Sequence, residues 1–265
     1  MNVSPHTRLP DDRLVVVRTR VEEARPGRGE DRLAVVEYAG GRAIIVADGA
    51  GGVSGGARAA DRLCNALCAL SNERSVPNGS RRRTLADCDW SQWLRGCDHA
   101  MVADVTCGLA AAVVLSVADD GIVRGASVGD CEAWIFGSGK AFDLTGSQRR
   151  KPMLGSGDAE PVAFYGQFDS GTLVMGTDGL WKYAALSRIG QAVDQSLDDA
   201  LVALLDAVRL RGGTLQDDIA LAVCRRALVT LVSGHPLPAE PGCGAWSGVV
   251  RGTFTSARDA HDKIA

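Results

Sequence analysis

The spacing of apolar positions changes several times along the chain, and each change marks an element. Residues 13–21, "RLVVVRTRV", set three valines together and then alternate, as a partly buried strand does. "RLAVVEY" and "RAIIVAD" flank "AGG", which predicts a hairpin closed by a glycine turn. From Ala57 the spacing lengthens. Ala60, Leu63, Cys64, Leu67 and Cys68 recur at three and four residues and predict a helix with both cysteines on one packed face. "SNERSVPNGSRRRT" (71–84) then breaks the pattern as an exposed loop, its Arg81, Arg82 and Arg83 a solvated cluster. Trp90, Trp93, Leu94, Cys97 and Met101 form the apolar stripe of a second helix.

Strand spacing returns in "LAAAVVLSV" (109–117), "GIVRGASVGD" (121–130), "CEAWIFG" (131–137) and, after a glycine-rich connection, "GTLVMGTDG" (171–179). Two helical stretches follow, the longer being "LDDALVALLDAVRL", and then a final strand, "DIALAVCRR". A meander of strands, with helices grouped after the first hairpin and before the last strand, predicts an α+β fold of antiparallel sheets covered by helices. Regular β-α-β-α alternation is absent. Residues 227–265 mix turn residues with weak patterns, so they are expected to form a C-terminal extension to a domain spanning 1–226.

Composition narrows the function classes. With 46% hydrophobic and 23% charged residues in 265, the chain can bury a sizeable core. Its net charge of -3 lacks the basic footprint of nucleic-acid binding, so no such partner is expected. The N-terminus has no apolar signal core and no later stretch is long enough to span a bilayer, which predicts a cytoplasmic protein with no membrane partner. Eight cysteines without a C-x-x-C pair, and four histidines without zinc-ligand spacing, predict reduced and mostly buried thiols.

The aspartates carry the candidate chemistry. Asp48 follows "AIIVA", Asp130 ends "GASVG", Asp178 follows "TLVMGT", and Asp217 with Asp218 opens "IALAV". One aspartate beside glycine at a strand end is ordinary turn chemistry. If four such ends converge, the carboxylates repel one another and need cations to remain ionised. An all-oxygen donor set selects magnesium or manganese over zinc or copper. The glycines after Asp48 would let the chain turn into the helix and let the Gly49 carbonyl approach an ion; packing alone accounts for them equally well. A phosphate-cradling loop would need Lys followed by Ser or Thr at the helix start, where "ARAAD" has neither. Cys131 follows Asp130 directly, but no arginine-rich phosphate loop accompanies it.

Taken in order, "ED" (Glu30, Asp31), "VADGAGG" (46–52), "SVGDCEAWIF" (127–136), "GTDGLW" (176–181) and "DDIALAV" (217–223) resemble the metal-dependent protein phosphatases, the type 2C or PPM family, over residues 13–226. The resemblance implies a four-layer α-β-β-α sandwich of two packed antiparallel sheets flanked by helices. It implies that Asp48 bridges two Mn2+ or Mg2+ ions, with the Gly49 carbonyl on one and Asp178 and Asp217 on the other. Asp130 matches a third, weaker metal site, and Glu30 and Asp31 match acids that hold metal-bound waters. The implied activity is hydrolysis of phosphoserine and phosphothreonine on proteins by a hydroxide bridging two ions. A cognate Ser/Thr kinase or its targets would be further partners in signalling. A catalytically weak relative that binds phosphoproteins or kinases, and a small-molecule phosphatase on the same scaffold, are the alternatives. The chain departs from the family in places. Pro26 stands where the family has a phosphate-contacting arginine, leaving Arg25 and Arg28 as candidates, and Asp218 stands where asparagine is common. The short connection from Asp130 to Asp178 implies a reduced flap beside the site.

Overall fold

The structure, a computed structural model, describes residues 13–50, 55–73, 85–228 and 257–258. The predicted arginine cluster at 81–83, the glycines at 51 and 52, and nearly all of the predicted C-terminal extension lie outside the described residues. In chain order the elements open with β1 (Arg13–Glu22), β2 (Asp31–Tyr38), β3 (Gly41–Gly49), α1 (Gly56–Glu73) and α2 (Trp90–Val102). Five strands follow: β4 (Ala110–Ala118), β5 (Ile122–Val128), β6 (Glu132–Gly137), β7 (Lys140–Asp143) and β8 (Val162–Gln167). The chain continues through β9 (Asp169–Gly176), α3 (Asp178–Trp181), α4 (Leu186–Val193), α5 (Leu197–Val208) and β10 (Ile219–Leu228). A two-residue β11 (Ala257–Arg258) pairs with β9.

Two antiparallel sheets result, ordered β2-β3-β4-β5-β8 and β1-β10-β9-β6-β7. Alternation along the central strands shows why they stack. On β3, Ala43, Ile45 and Ala47 pack with α1 and α2 residues such as Leu63 and Leu94, whereas Ile44 and Val46 pack against the other sheet. On β10, Ile219, Leu221 and Val223 lie with Ile189 and Leu204 of α4 and α5, while Ala220, Ala222 and Cys224 join the core between the sheets. Strands buried on both faces read as continuous apolar runs, which is why "AIIVA" and "IALAV" show so little alternation. Full burial of Ile44 and Ile45 contributes about 1.5–3 kcal/mol each. The layers are helix, sheet, sheet, helix, as the resemblance implies.

Differences from the sequence reading fall at the edges. β7 and β8 lie inside the stretch read as a connection. Both end their sheets, where one flank has no strand partner among the described residues and little apolar patterning is needed; Tyr165 of β8 is 56% exposed. The single turn α3 is too short to show a period. β10 continues to Leu228, past the domain boundary expected at 226. Among the described residues no disulfide joins the seven cysteines: Cys64, Cys131 and Cys224 are buried, and Cys68, Cys88, Cys97 and Cys107 are half-buried. Among the described residues, no helix is long and apolar enough to cross a membrane.

Residues 144–161, between β7 and β8, contain only an isolated bridge from Leu154 to Ala110. This stretch lies within the connection from Asp130 to Asp178. It is held by Asp98 of α2, whose Oδ1 accepts N–H bonds from Gly155 (2.6 Å) and Gly157 (3.0 Å) and whose Oδ2 accepts one from Ala159 (3.0 Å).

Candidate metal centre

Strand register brings the acids together. Asp31 of β2 sits directly opposite Asp48 of β3, a like-charged cross-strand pair that disfavours the sheet unless something neutralises it. Asp48 shares strand parity with Ile44 and Val46, so it lies on the face turned toward the second sheet. That sheet supplies Asp178, the first residue of α3, and Asp217, which precedes β10. Thr177 ties those two ends: its N–H donates to the Ala220 carbonyl (3.1 Å) and its hydroxyl accepts from the Ala220 N–H (3.0 Å). Asp130 follows Gly129, which has a φ of +96° and where a Cβ would overlap the Ala111 side chain, so glycine is needed to turn the chain after β5. Oxygens of Asp48, Asp130 and Asp178 all lie within 4.8 Å of one another.

The glycine at 49 has a packing cause. A Cβ there would overlap the carbonyl group of Gly56, where α1 begins, so the strand and helix backbones meet at two side-chain-free positions. The Gly49 N–H donates to the Glu30 carbonyl (3.3 Å), and the Glu30 carboxylate lies against Gly56. Glu30 ends a loop that Asp218 anchors, its two oxygens accepting the Ala24 N–H (2.8 Å) and the Glu30 N–H (2.9 Å). Arg25 and Arg28 are exposed on that loop.

Electrostatics mark the cluster as incomplete. Burial, then the charges of Asp178 and Asp130, push the Asp48 carboxyl up to about 7. Burial and the Asp48 charge push Asp31 well above the usual carboxylate range, opposed by a hydrogen bond with Thr177. Burial and Asp178 raise Asp217 as well. Asp31 Oδ2 is buried without a hydrogen-bond partner. A buried oxygen without a donor, among acids that resist ionising, fits a hard divalent cation in both charge and donor chemistry. Cys131 is fully buried, and burial together with Asp48 drives its thiol away from the thiolate, so it is no nucleophile.

Beside the cluster is a shallow cavity of about 250 Å³ lined by Asp130, Glu132, Arg150, Asp178, Trp181 and Lys182. The Lys182 ammonium pairs with Asp178 Oδ2 and lies 3.8 Å from Asp217 Oδ2; Arg150 Nη1 lies 3.6 Å from Asp130 Oδ2. Trp181 forms a wall, stacked on Trp134 with ring centroids 5.9 Å apart and donating its Nε1–H to the Gly176 carbonyl (3.0 Å).

Of the site residues expected from sequence, Asp48, Asp130 and Asp178 converge and Asp31 adjoins them. Asp217 lies outside the 4.8 Å group and is linked to it by Lys182. Gly49 and Glu30 flank the cluster at the α1 terminus. Neither Arg25 nor Arg28 lines the cavity. Lys182, Arg150 and the anchoring role of Asp218 went unread. Lys182 had a signal, standing four residues after Asp178 where one helical turn returns it to the same face, and Arg150 had one in the basic run at 149–151.

The fold matches solved structures at low identity. The structure of RsbX in complex with magnesium is 15% identical, with a TM-score of 0.61, over 80% of this chain and 96% of that one. The catalytic domain of the serine/threonine protein phosphatase PstP in complex with two manganese ions is 16% identical, with a TM-score of 0.60, over 81% and 99%. A structure from the bacterial stressosome, described as a modular system adapted to control secondary messenger signalling, is 17% identical, with a TM-score of 0.58, over 80% and 99%. No curated protein matches the chain. The sequence profile of Protein phosphatase 2C matches residues 24–156, just over half of the chain, a span that holds Glu30, Asp31, Asp48 and Asp130. The chain therefore belongs to the protein phosphatase 2C family.

Proposed function

We propose that this enzyme hydrolyses phosphoserine and phosphothreonine monoesters on proteins, using two Mn2+ or Mg2+ ions held at the strand-end aspartates. The observation that carries the reading is the convergence of Asp48, Asp130 and Asp178 from both sheets within 4.8 Å, in a donor set made only of oxygen. Magnesium in RsbX and two manganese ions in PstP support the choice of metal. Asp48 would bridge the ions, with the Gly49 carbonyl on one and Asp178 and Asp217 on the other. Asp130 would serve a third site, and Glu30 and Asp31 would act through water. Bound there, divalent ions supply Lewis acidity and lower the pKa of a coordinated water.

The chain's own groups do the rest. Thr177 fixes the spacing between the ends of β9 and β10, and Asp218 holds the loop from which Arg25 or Arg28 would contact the phosphoryl group. Arginine suits that contact because its planar donors match phosphate oxygens. The stressosome match supports a signalling role, in which a cognate Ser/Thr kinase or its targets would be partners. The catalytic unit would close with β10 at Leu228, so removing 232–265, which takes away only the two-residue β11 among the described elements, should leave a soluble, active enzyme. Activity on phosphoserine and phosphothreonine peptides should vanish in EDTA and return with Mn2+ or Mg2+; full activity in chelator overturns the mechanism. A kcat/KM higher for small phosphate monoesters than for any phosphopeptide would move the substrate class to small molecules.

A further inference from the structure

We infer that Lys182 is a built-in counter-cation that competes with a divalent ion for the Asp178 and Asp217 carboxylates and thereby weakens metal binding at that pair. The inference rests on the metal-dependent reading above. Its basis is a juxtaposition: one ammonium pairs with Asp178 and stands 3.8 Å from Asp217, the two carboxylates proposed to share an ion.

The local fold holds the lysine there. α3 is a single turn, and the Lys182 N–H donates to the Asp178 carbonyl (2.9 Å), which places the two side chains on one face. Asp217 reaches the same ammonium because Thr177 joins the ends of β9 and β10. The cations and acids that face this point are Arg150, Asp130 and Glu132, which line the cavity with it. Arg150 is engaged at Asp130, and among the described residues Lys182 is the cation paired at the Asp178 and Asp217 side.

Lysine suits a displaceable role better than arginine. Its charge is compact and its four-carbon stem flexible, so it can withdraw into the adjoining cavity when a divalent ion takes the two carboxylates. Lys182 is 48% exposed, so water screens the pairs and the competition is modest. Removing the charge should tighten Mn2+ binding about two- to fivefold, the upper part of the range that corresponds to an interaction of this exposed kind.

The test is isothermal titration of the full chain with Mn2+ in the absence of substrate, for wild type, K182Q and K182R, with melting curves of the metal-free proteins alongside. K182Q should bind Mn2+ about two- to fivefold more tightly than wild type, and K182R should stay within about 1.5-fold of wild type. Metal-free K182Q should melt below wild type, because Asp178 and Asp217 lose their counter-charge, and should gain the larger shift on adding Mn2+. Unchanged or weaker Mn2+ binding by K182Q overturns the inference and leaves the phosphatase reading standing. A wild-type chain that binds no Mn2+ while folded overturns the metal-dependent reading itself.

Discussion

Asp98 and Asp31 are buried to a similar degree, 1% and 4% exposed, yet one is surrounded by peptide N–H groups and the other by carboxylates. Asp98 accepts three backbone bonds and holds the segment before β8 against α2. Asp31 has one oxygen without a partner and faces the charges of Asp48, Asp218 and Asp178. Removing a carboxylate from water is costly unless donors or opposite charge replace the lost hydration. The first aspartate meets that requirement within the chain, so its role is structural. The second does not, and Asp48 opposite it is likewise held from ionising by burial and like charge, so the cluster fits completion by a cation.

The largest expected effect separates these two kinds of carboxylate by activity. Asp48→Asn keeps side-chain size but removes an anionic ligand, so Mn2+-dependent turnover of a phosphopeptide should fall by at least about 100-fold, beyond rescue by excess Mn2+. Asp178→Asn and Asp217→Asn should recover better as Mn2+ is raised. Wild-type turnover in Asp48→Asn would erase the contrast. Asp98→Ala should do the reverse, lowering stability in urea by about 2–3 kcal/mol as three N–H groups lose their acceptor, with little change in Mn2+ affinity. A loss of metal binding as large as the loss of stability would join the two regions into one.

A pH series sharpens the contrast further. In the metal-free protein the folded state holds Asp31, Asp48 and Asp217 above their ordinary values, so it keeps protons that the unfolded chain releases. Unfolding is then coupled to proton loss, and melting temperature should fall as pH rises from about 4 through about 7. Saturating Mn2+ should flatten that slope, because the ion takes the place of the protons. A metal-free melting temperature that rises across this window would contradict the like-charge account. The smallest effect belongs to Asp218→Asn. Each Asp218 oxygen accepts a different N–H, so an amide nitrogen would oppose one donor, cost about 1 kcal/mol and raise KM a few-fold by loosening the loop of Arg25 and Arg28.

How much of this was legible follows from where each residue gets its role. "AIIVAD" announces β3 and Asp48 because a strand buried on both faces must be apolar until it reaches the carboxylate cluster. Asp130 and Asp178 show the same signature, so the cluster could be read from strand ends alone. β7 and β8 could not, because edge strands are shaped by one neighbour and by solvent. Asp98 looked like any helical polar residue. Its partners lie 57 to 61 positions away and are backbone atoms, which leave no side-chain pattern. Lys182 carried a local clue toward Asp178, but its second partner depends on tertiary pairing of β9 with β10. The arginine question stayed open in sequence and passes to Arg25, Arg28 and the cavity's Arg150 in structure.

The acids of the cluster come from both sheets, Asp48 from one and Asp178 and Asp217 from the other. An ion shared among them would act as a rivet across the sandwich. Peeling the sheets apart at that edge would require the rivet to leave first, which raises the barrier to opening without changing a single contact in the core. Cellular lifetime then becomes coupled to metal supply. Chains that fail to load would open at the acidic edge and be degraded, so the pool that survives proteolysis would be enriched in molecules able to act.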